Sequence, residues 1–161
     1  PHAEILVNDV SHFSSDITGT EEKPDVIEFE AEVEQDKSHA LIISRSGKSA
    51  SQTWVDRKIK KVTKDQLLHI KNIEIDWSPL RDVTEVGVYT PDYPEPWATQ
   101  QREQLKRTGG ILQESFNGVT DLGHNGEWRL TFTSPFHMWL LKHPYRTREI
   151  QKNPNQKIVG D

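Results

Sequence analysis

The residues best suited to bind a ligand lie together in one proline-rich segment, residues 89–97. Three prolines within six positions exclude both a helix and a central strand, so this segment is predicted to be an extended loop of restricted shape. Its aromatic faces suit the C–H faces of sugar rings and its carboxylates suit sugar hydroxyls, while tyrosine and tryptophan also dominate protein contacts. The alternative is that the aromatic rings fold inward and cover one end of a sheet. The predicted ligand-binding residues are Tyr89, Asp92, Tyr93, Glu95 and Trp97.

Three aspartates form a candidate calcium site. Asp76, Asp82 and Asp92 flank predicted strands, and residues at strand ends can meet at one end of a sheet. Calcium takes carboxylate and carbonyl oxygens from loops. The sequence contains no Asp-x-Asp-x-Asp-Gly loop, so the calcium hypothesis depends on position alone.

A metal-dependent hydrolase is a further hypothesis, built on His124, Glu127 and His137. Imidazole and carboxylate groups are zinc ligands, but no histidine pair here has the spacing that places two ligands on one helix face. A serine hydrolase needs serine, histidine and a carboxylate in contact, and the sequence has no Gly-x-Ser-x-Gly elbow. No catalytic residue is therefore predicted, and the chain is interpreted as a binding protein rather than an enzyme.

Composition excludes several other kinds of site. The chain of 161 residues has no cysteine, which excludes disulfides, thiolate catalysis and cysteine-ligated metals. The tripeptide Gly47-Lys48-Ser49 is similar to the end of a phosphate-binding loop, but Ile42 stands where that loop needs its first glycine. We interpret the tripeptide as a polar turn.

The charge balance argues against a general nucleic-acid-binding protein, because 20 Lys and Arg stand against 25 Asp and Glu. A basic run at residues 57–64, beside Trp54, could follow a phosphate backbone. We favour a different role, in which this run pairs across a sheet with the glutamates of residues 28–34. No apolar run approaches the roughly 20 residues that cross a bilayer and no signal segment is recognised, so a soluble protein is predicted.

Strand patterns dominate the chain. Residues 3–7 form a predicted first strand, followed by a polar loop at residues 11–23. Residues 27–34 alternate apolar side chains with glutamates, which predicts a strand with one buried face. Residues 68–77 change phase near Asn72, which indicates a bulge or turn. Asn117-Gly118 and Asn125-Gly126 predict two tight hairpins, and hence an antiparallel meander over residues 111–133.

Helices are predicted to be few and short. A polar surface helix is expected over residues 97–107, ended by Gly109. A second is expected to start at Ser134 as N-cap with Pro135 in its first turn, and its apolar face would consist of Phe136, Trp139 and Leu140.

The expected fold class is therefore mainly β, a β-sandwich or jelly-roll-like pair of antiparallel sheets with two or three short helices, with an α+β sheet as the alternative. Residues 1–152 are predicted to form a single domain and residues 153–161 a loose tail. The predicted function is recognition of a carbohydrate. The alternatives are a structural or accessory subunit of a larger assembly and the metal-dependent hydrolase.

Overall fold

The computed structural model describes residues 1–49, 53–56, 58, 61–80 and 86–142, and within them the protein is mainly β, as the sequence predicts. The strands and helices are, in chain order, β1 (His2–Val7), β2 (Val10–Asp16), β3 (Ser38–Ser46), β4 (Thr53–Asp56), β5 (Lys61–Asp65), β6 (Leu68–His69), β7 (Ile73–Ile75), β8 (Ser78–Leu80), β9 (Val88–Pro91), α1 (Trp97–Thr108), β10 (Phe116–Asn117), β11 (Asp121–Leu122), β12 (Gly126–Thr133) and α2 (Phe136–Lys142). The predicted tail, residues 153–161, lies outside the described residues.

A six-stranded antiparallel sheet in the order β10-β9-β12-β3-β1-β2 is the centre of the fold. The core lies against one face of this sheet, as strand β12 shows. Trp128, Leu130 and Phe132 of this strand are buried, and the residues between them are exposed. The three short pairs β4-β5, β6-β11 and β7-β8 form separate two-stranded sheets. Leu68 and Leu122 from the β6-β11 pair belong to the same buried cluster as the β12 residues, so this pair helps to close the core.

The hairpin between β1 and β2 corrects the predicted polar loop at residues 11–23, because residues 11–16 belong to a strand. Asn8 and Asp9 have φ values of 51° and 66°, which is the backbone of a two-residue type I′ turn. The Asn8 side chain accepts a hydrogen bond from the Ala40 N–H at 3.0 Å and so ties the turn to β3. Strand β2 lies at the edge of the sheet and is largely exposed. Its sequence therefore lacks the alternation of apolar and polar residues that would predict a strand.

A second two-residue turn, Asp76-Trp77, joins β7 to β8. Both residues have positive φ, 49° and 63°. Trp77 does not continue the strand face that Ile73 and Ile75 form. The two isoleucines are half-buried, whereas Trp77 stands at the tip of the turn with 94% of its surface exposed. The predicted change of phase near Asn72 is confirmed by the break between β6 and β7.

The alternating segment, residues 27–34, is not a strand, so the strand predicted there is wrong. The apolar positions still face the protein in part, because Ile27 and Ala31 are half-buried. Phe29 stacks on His12 of β2 with ring centroids 4.9 Å apart. The glutamates are exposed, and the described strand of the basic run, β5, pairs with β4 rather than with this segment.

The predicted meander over residues 111–133 is also wrong. Strand β10 pairs with β9, β11 pairs with β6, and β12 pairs with β3 and β9. Gly118 does adopt the positive φ that an Asn-Gly turn needs, 76°. Strands β10 and β11 have only two residues each, too few to hold each other, and more distant partners pair with them instead.

Both predicted helices are present. Helix α1 ends at Gly109, whose φ of 76° is left-handed, and Ala98 is its buried residue. In α2, Phe136 stacks on Trp139 with ring centroids 5.5 Å apart. Ser134 is not the predicted N-cap, because its hydroxyl donates to the Glu34 carbonyl at 2.6 Å. Within the described part of the chain, no helix is long and apolar enough to cross a membrane.

Candidate functional site

Three aromatic rings from two distant parts of the chain meet at one end of the sheet. The ring centroids of Tyr93 and Trp97 lie 5.5 Å apart, those of Tyr93 and His124 5.1 Å, and those of Trp97 and His124 5.3 Å. These separations are within the range of favourable aromatic pairs. We call Tyr93, Trp97 and His124 the aromatic cluster. It contains two of the five predicted ligand-binding residues together with one histidine from outside that set.

Hydrogen bonds within residues 93–113 hold the part of the cluster that comes from the proline-rich segment. The Tyr93 hydroxyl donates to the Gln113 carbonyl at 2.6 Å. The Glu95 carboxylate accepts from the Thr99 N–H at 3.3 Å and from its hydroxyl at 2.7 Å, so it satisfies a free donor in the first turn of α1. Glu95 therefore fixes the start of the helix that carries Trp97.

Tyr89, a predicted ligand-binding residue, lies in the core with 4% of its surface exposed. Its hydroxyl donates to the His124 carbonyl at 2.7 Å and accepts from the His124 N–H at 3.0 Å. Tyr89 is therefore a positioning residue that holds the backbone of His124. The alternative in which the aromatic rings of residues 89–97 fold inward is correct for Tyr89. Asp92 is exposed beside the cluster, and its N–H donates to the Asn125 carbonyl at 2.6 Å.

An ion pair between Lys48 and Asp65 lies close to His124 in space. Lys48 Nζ donates to Asp65 Oδ1 at 2.6 Å and also to the Gly123 carbonyl, and the Lys48 side chain is only 10% exposed. The Asn125 side chain accepts from the Lys48 N–H at 2.9 Å. These contacts attach the segment that carries His124 to the end of β3, and Gly47-Lys48-Ser49 serves as part of this anchor.

Arg45 provides a second anchor beneath the site. This residue is 1% exposed, and its guanidinium donates to the Leu122 carbonyl and to the Gln66 carbonyl, the latter at 2.7 Å. Burial lowers the pKa of Arg45, and the nearby Asp65 opposes that shift. Arg45 thus joins the segments before His124 and after Asp65 to one strand.

The metal hypotheses receive no support from side-chain positions. Among the residues that the structure describes, no three His, Asp or Glu side chains are grouped so that they could hold an ion. His124 precedes β12 whereas His137 lies in α2 beyond the other end of that strand, so the chain does not bring the predicted hydrolase residues together. Asp76 lies in the β7-β8 turn and Asp82 lies outside the described residues. Calcium therefore stays a prediction.

His124 is expected to make stability depend on pH. Burial lowers the pKa of His124 below its usual 6.5, Lys48 and Arg45 lower it further, and Asp65 opposes them. Since the unfolded chain binds the proton more readily, this contribution to stability is complete above pH 6.5 and is lost as the pH falls through 6.5 towards the folded pKa. Urea midpoints between about pH 5 and 8 measure it. His124→Gln is expected to flatten this part of the profile and His137→Gln, at an exposed position, to leave it unchanged. Equal profiles for wild type and His124→Gln would contradict the assignment.

No protein family, curated protein or solved structure matches this chain. The functional argument therefore depends on the geometry of the site.

Proposed function

We propose that this protein is a recognition domain that binds carbohydrate through the aromatic cluster. The observation that carries the proposal is that Trp97, part of a fixed group of rings, keeps 37% of its surface exposed. A partly exposed indole that is supported by neighbouring rings suits stacking against the C–H face of a sugar ring.

Rigidity supports the proposal. Ordering loose side chains on binding costs about 0.5–1.5 kcal/mol each. In the aromatic cluster much of this ordering is already present, because Tyr93 is hydrogen-bonded and Trp97 lies in the first turn of a helix fixed by Glu95. A sugar would therefore meet a surface that needs little reorganisation.

Polar groups for sugar hydroxyls surround the rings. Asp92 is exposed next to the cluster. Arg102 Nη1 lies 3.7 Å from Glu95 Oε1, and both side chains are about half exposed, 48% and 59%. The lowered pKa of His124 favours a neutral ring near pH 7, which can both donate and accept a hydrogen bond. These groups give the site donors and acceptors around an apolar face.

The test is a glycan array probed with wild type, Trp97→Ala and Tyr93→Ala, followed by titration of the sugars that bind. Trp97→Ala is expected to weaken binding at least about tenfold, which is about 1.4 kcal/mol. Trp77→Ala is the matched control, since it removes an exposed indole outside the cluster. Binding that survives both cluster substitutions unchanged would refute the proposal.

The second candidate is a subunit of a larger assembly. This candidate is favoured by large apolar side chains that are exposed to solvent, above all Trp77 (94% exposed) and Ile111 (88%). Tryptophan is among the residues that contribute most to protein interfaces. Light scattering at micromolar concentration separates the candidates, because a lone monomer speaks against self-assembly.

A further inference from the structure

A second group of reactive side chains lies on strands β1 and β2, outside the aromatic cluster. His2 Nδ1 is 3.0 Å from Asp16 Oδ1, and His2 Nε2 is 2.9 Å from Ser14 Oγ. A histidine ring thus has a carboxylate on one nitrogen and a serine hydroxyl on the other.

The antiparallel ladder explains why these three residues meet. His2 pairs with Asp16 and Glu4 with Ser14. Alternate residues of a strand share a face, so Ser14 and Asp16 project on the side of the sheet that His2 occupies. Ser15 pairs with Ala3, a buried residue, on the opposite face.

The hydrogen bonds have a definite direction. An ionised carboxylate only accepts, so Asp16 accepts from the Nδ1–H of His2. That tautomer leaves Nε2 as the acceptor for the Ser14 hydroxyl. These are the roles that serine, histidine and aspartate have in acyl-transfer catalysis, where the triad is recognised by geometry rather than by position in the chain.

A substrate can reach the three residues. The side chains of His2 and Asp16 are 38% and 79% exposed, and Ser14 is exposed. The hydrogen bond from the Ile17 N–H to the Pro1 carbonyl, at 2.8 Å, shows which positions of β2 face β1. By alternation the N–H of Ser14 points away from β1, towards the open edge of the sheet. This donor lies next to the nucleophile, where an oxyanion forms.

We propose that Ser14, His2 and Asp16 transfer acyl groups from small carboxylic esters, an activity independent of carbohydrate recognition. Ser14 Oγ attacks the ester carbonyl carbon while His2 Nε2 takes the hydroxyl proton. The carbon–alkoxide bond breaks, the alcohol leaves with that proton, and an acyl-serine ester remains. Water then attacks the acyl carbon and gives a proton to His2. The bond between the acyl carbon and Ser14 Oγ breaks, His2 returns the proton to Oγ, and the carboxylic acid is released. Asp16 is a positioning residue that holds the ring in the required tautomer.

The experiment is hydrolysis of p-nitrophenyl acetate by the full chain, with mass spectrometry of the protein during turnover. Ser14→Ala is expected to lower the rate at least about tenfold, and Asp16→Asn to lower it while Ser14 still becomes acetylated. Ser15→Ala, on the opposite face of the same strand, is expected to behave as wild type. Acetyl groups found on Ser14 support the proposal. A Ser14→Ala rate equal to wild type, or acetyl groups on lysines alone, would overturn it.

Discussion

Gly87→Ala is expected to destabilise the protein by about 3 kcal/mol or more. A Cβ at this position would lie 2.0 Å from Cε2 of Trp128 and 2.1 Å from its Cζ2 and Nε1. The indole has no room to move, because Trp128 has no exposed surface and its strand is paired on both sides, with β3 and with β9. Since no rotamer change of alanine can remove the overlap, the backbone of one of these elements must shift.

Gly123→Ala is the matched control for this prediction. A Cβ there would meet its nearest neighbour, Leu67 Cδ2, at an ordinary 3.5 Å, so a change within about 1 kcal/mol is expected. Urea unfolding measures both variants. Trp128→Leu removes the ring atoms that overlap, so Gly87→Ala should cost less in that background and the two changes should be less than additive. Equal stability of the two alanine variants would show that Gly87 is not packed against the indole.

Leu122→Ala is expected to lower the free energy of unfolding by about 2–5 kcal/mol. Leu122 has no exposed surface and lies in the central cluster opposite Leu68. Its carbonyl also accepts from Arg45, so a shift of β11 into the vacated space would weaken that hydrogen bond.

Leu67→Ala provides the comparison for Leu122→Ala, because Leu67 is 47% exposed one residue from β6. A loss below about 1 kcal/mol is expected for it. Thermal or urea unfolding that gives equal losses for the two leucines would contradict the position of the core between the main sheet and the β6-β11 pair.

The sequence predicts those parts of the fold that carry local signals. Strand β12 and helix α1 follow from apolar periodicity and from Gly109, and both are confirmed. Strand β2 has no such signal, because an exposed edge strand needs no buried face. Residues 27–34 alternate as a strand would, but no described strand pairs with their backbone, so they do not form one. Pairing partners are long-range properties, which is also why the hairpins predicted at the two Asn-Gly pairs, and the meander built on them, are wrong.

The candidate site was predictable in part for the same reason. Prolines and aromatics identified the loop that carries Tyr93 and Trp97. His124 could not be assigned to it, since the contact that holds it, with Tyr89, spans 35 positions. Ser14 and His2 are 12 positions apart and have no elbow motif, so only the register of β1 and β2 brings them together.

The most direct test of the proposed function is NMR of the tryptophan indole N–H signals during titration with cello-, xylo-, manno- and chito-oligosaccharides. The signal of Trp97, assigned with Trp97→Phe, is expected to shift and saturate with at least one of these sugars. The signals of the buried Trp128 and of the exposed Trp77, which does not belong to the cluster, should stay in place. A Trp97 signal that no sugar moves, or a sugar that moves Trp77 instead, would contradict binding at the aromatic cluster.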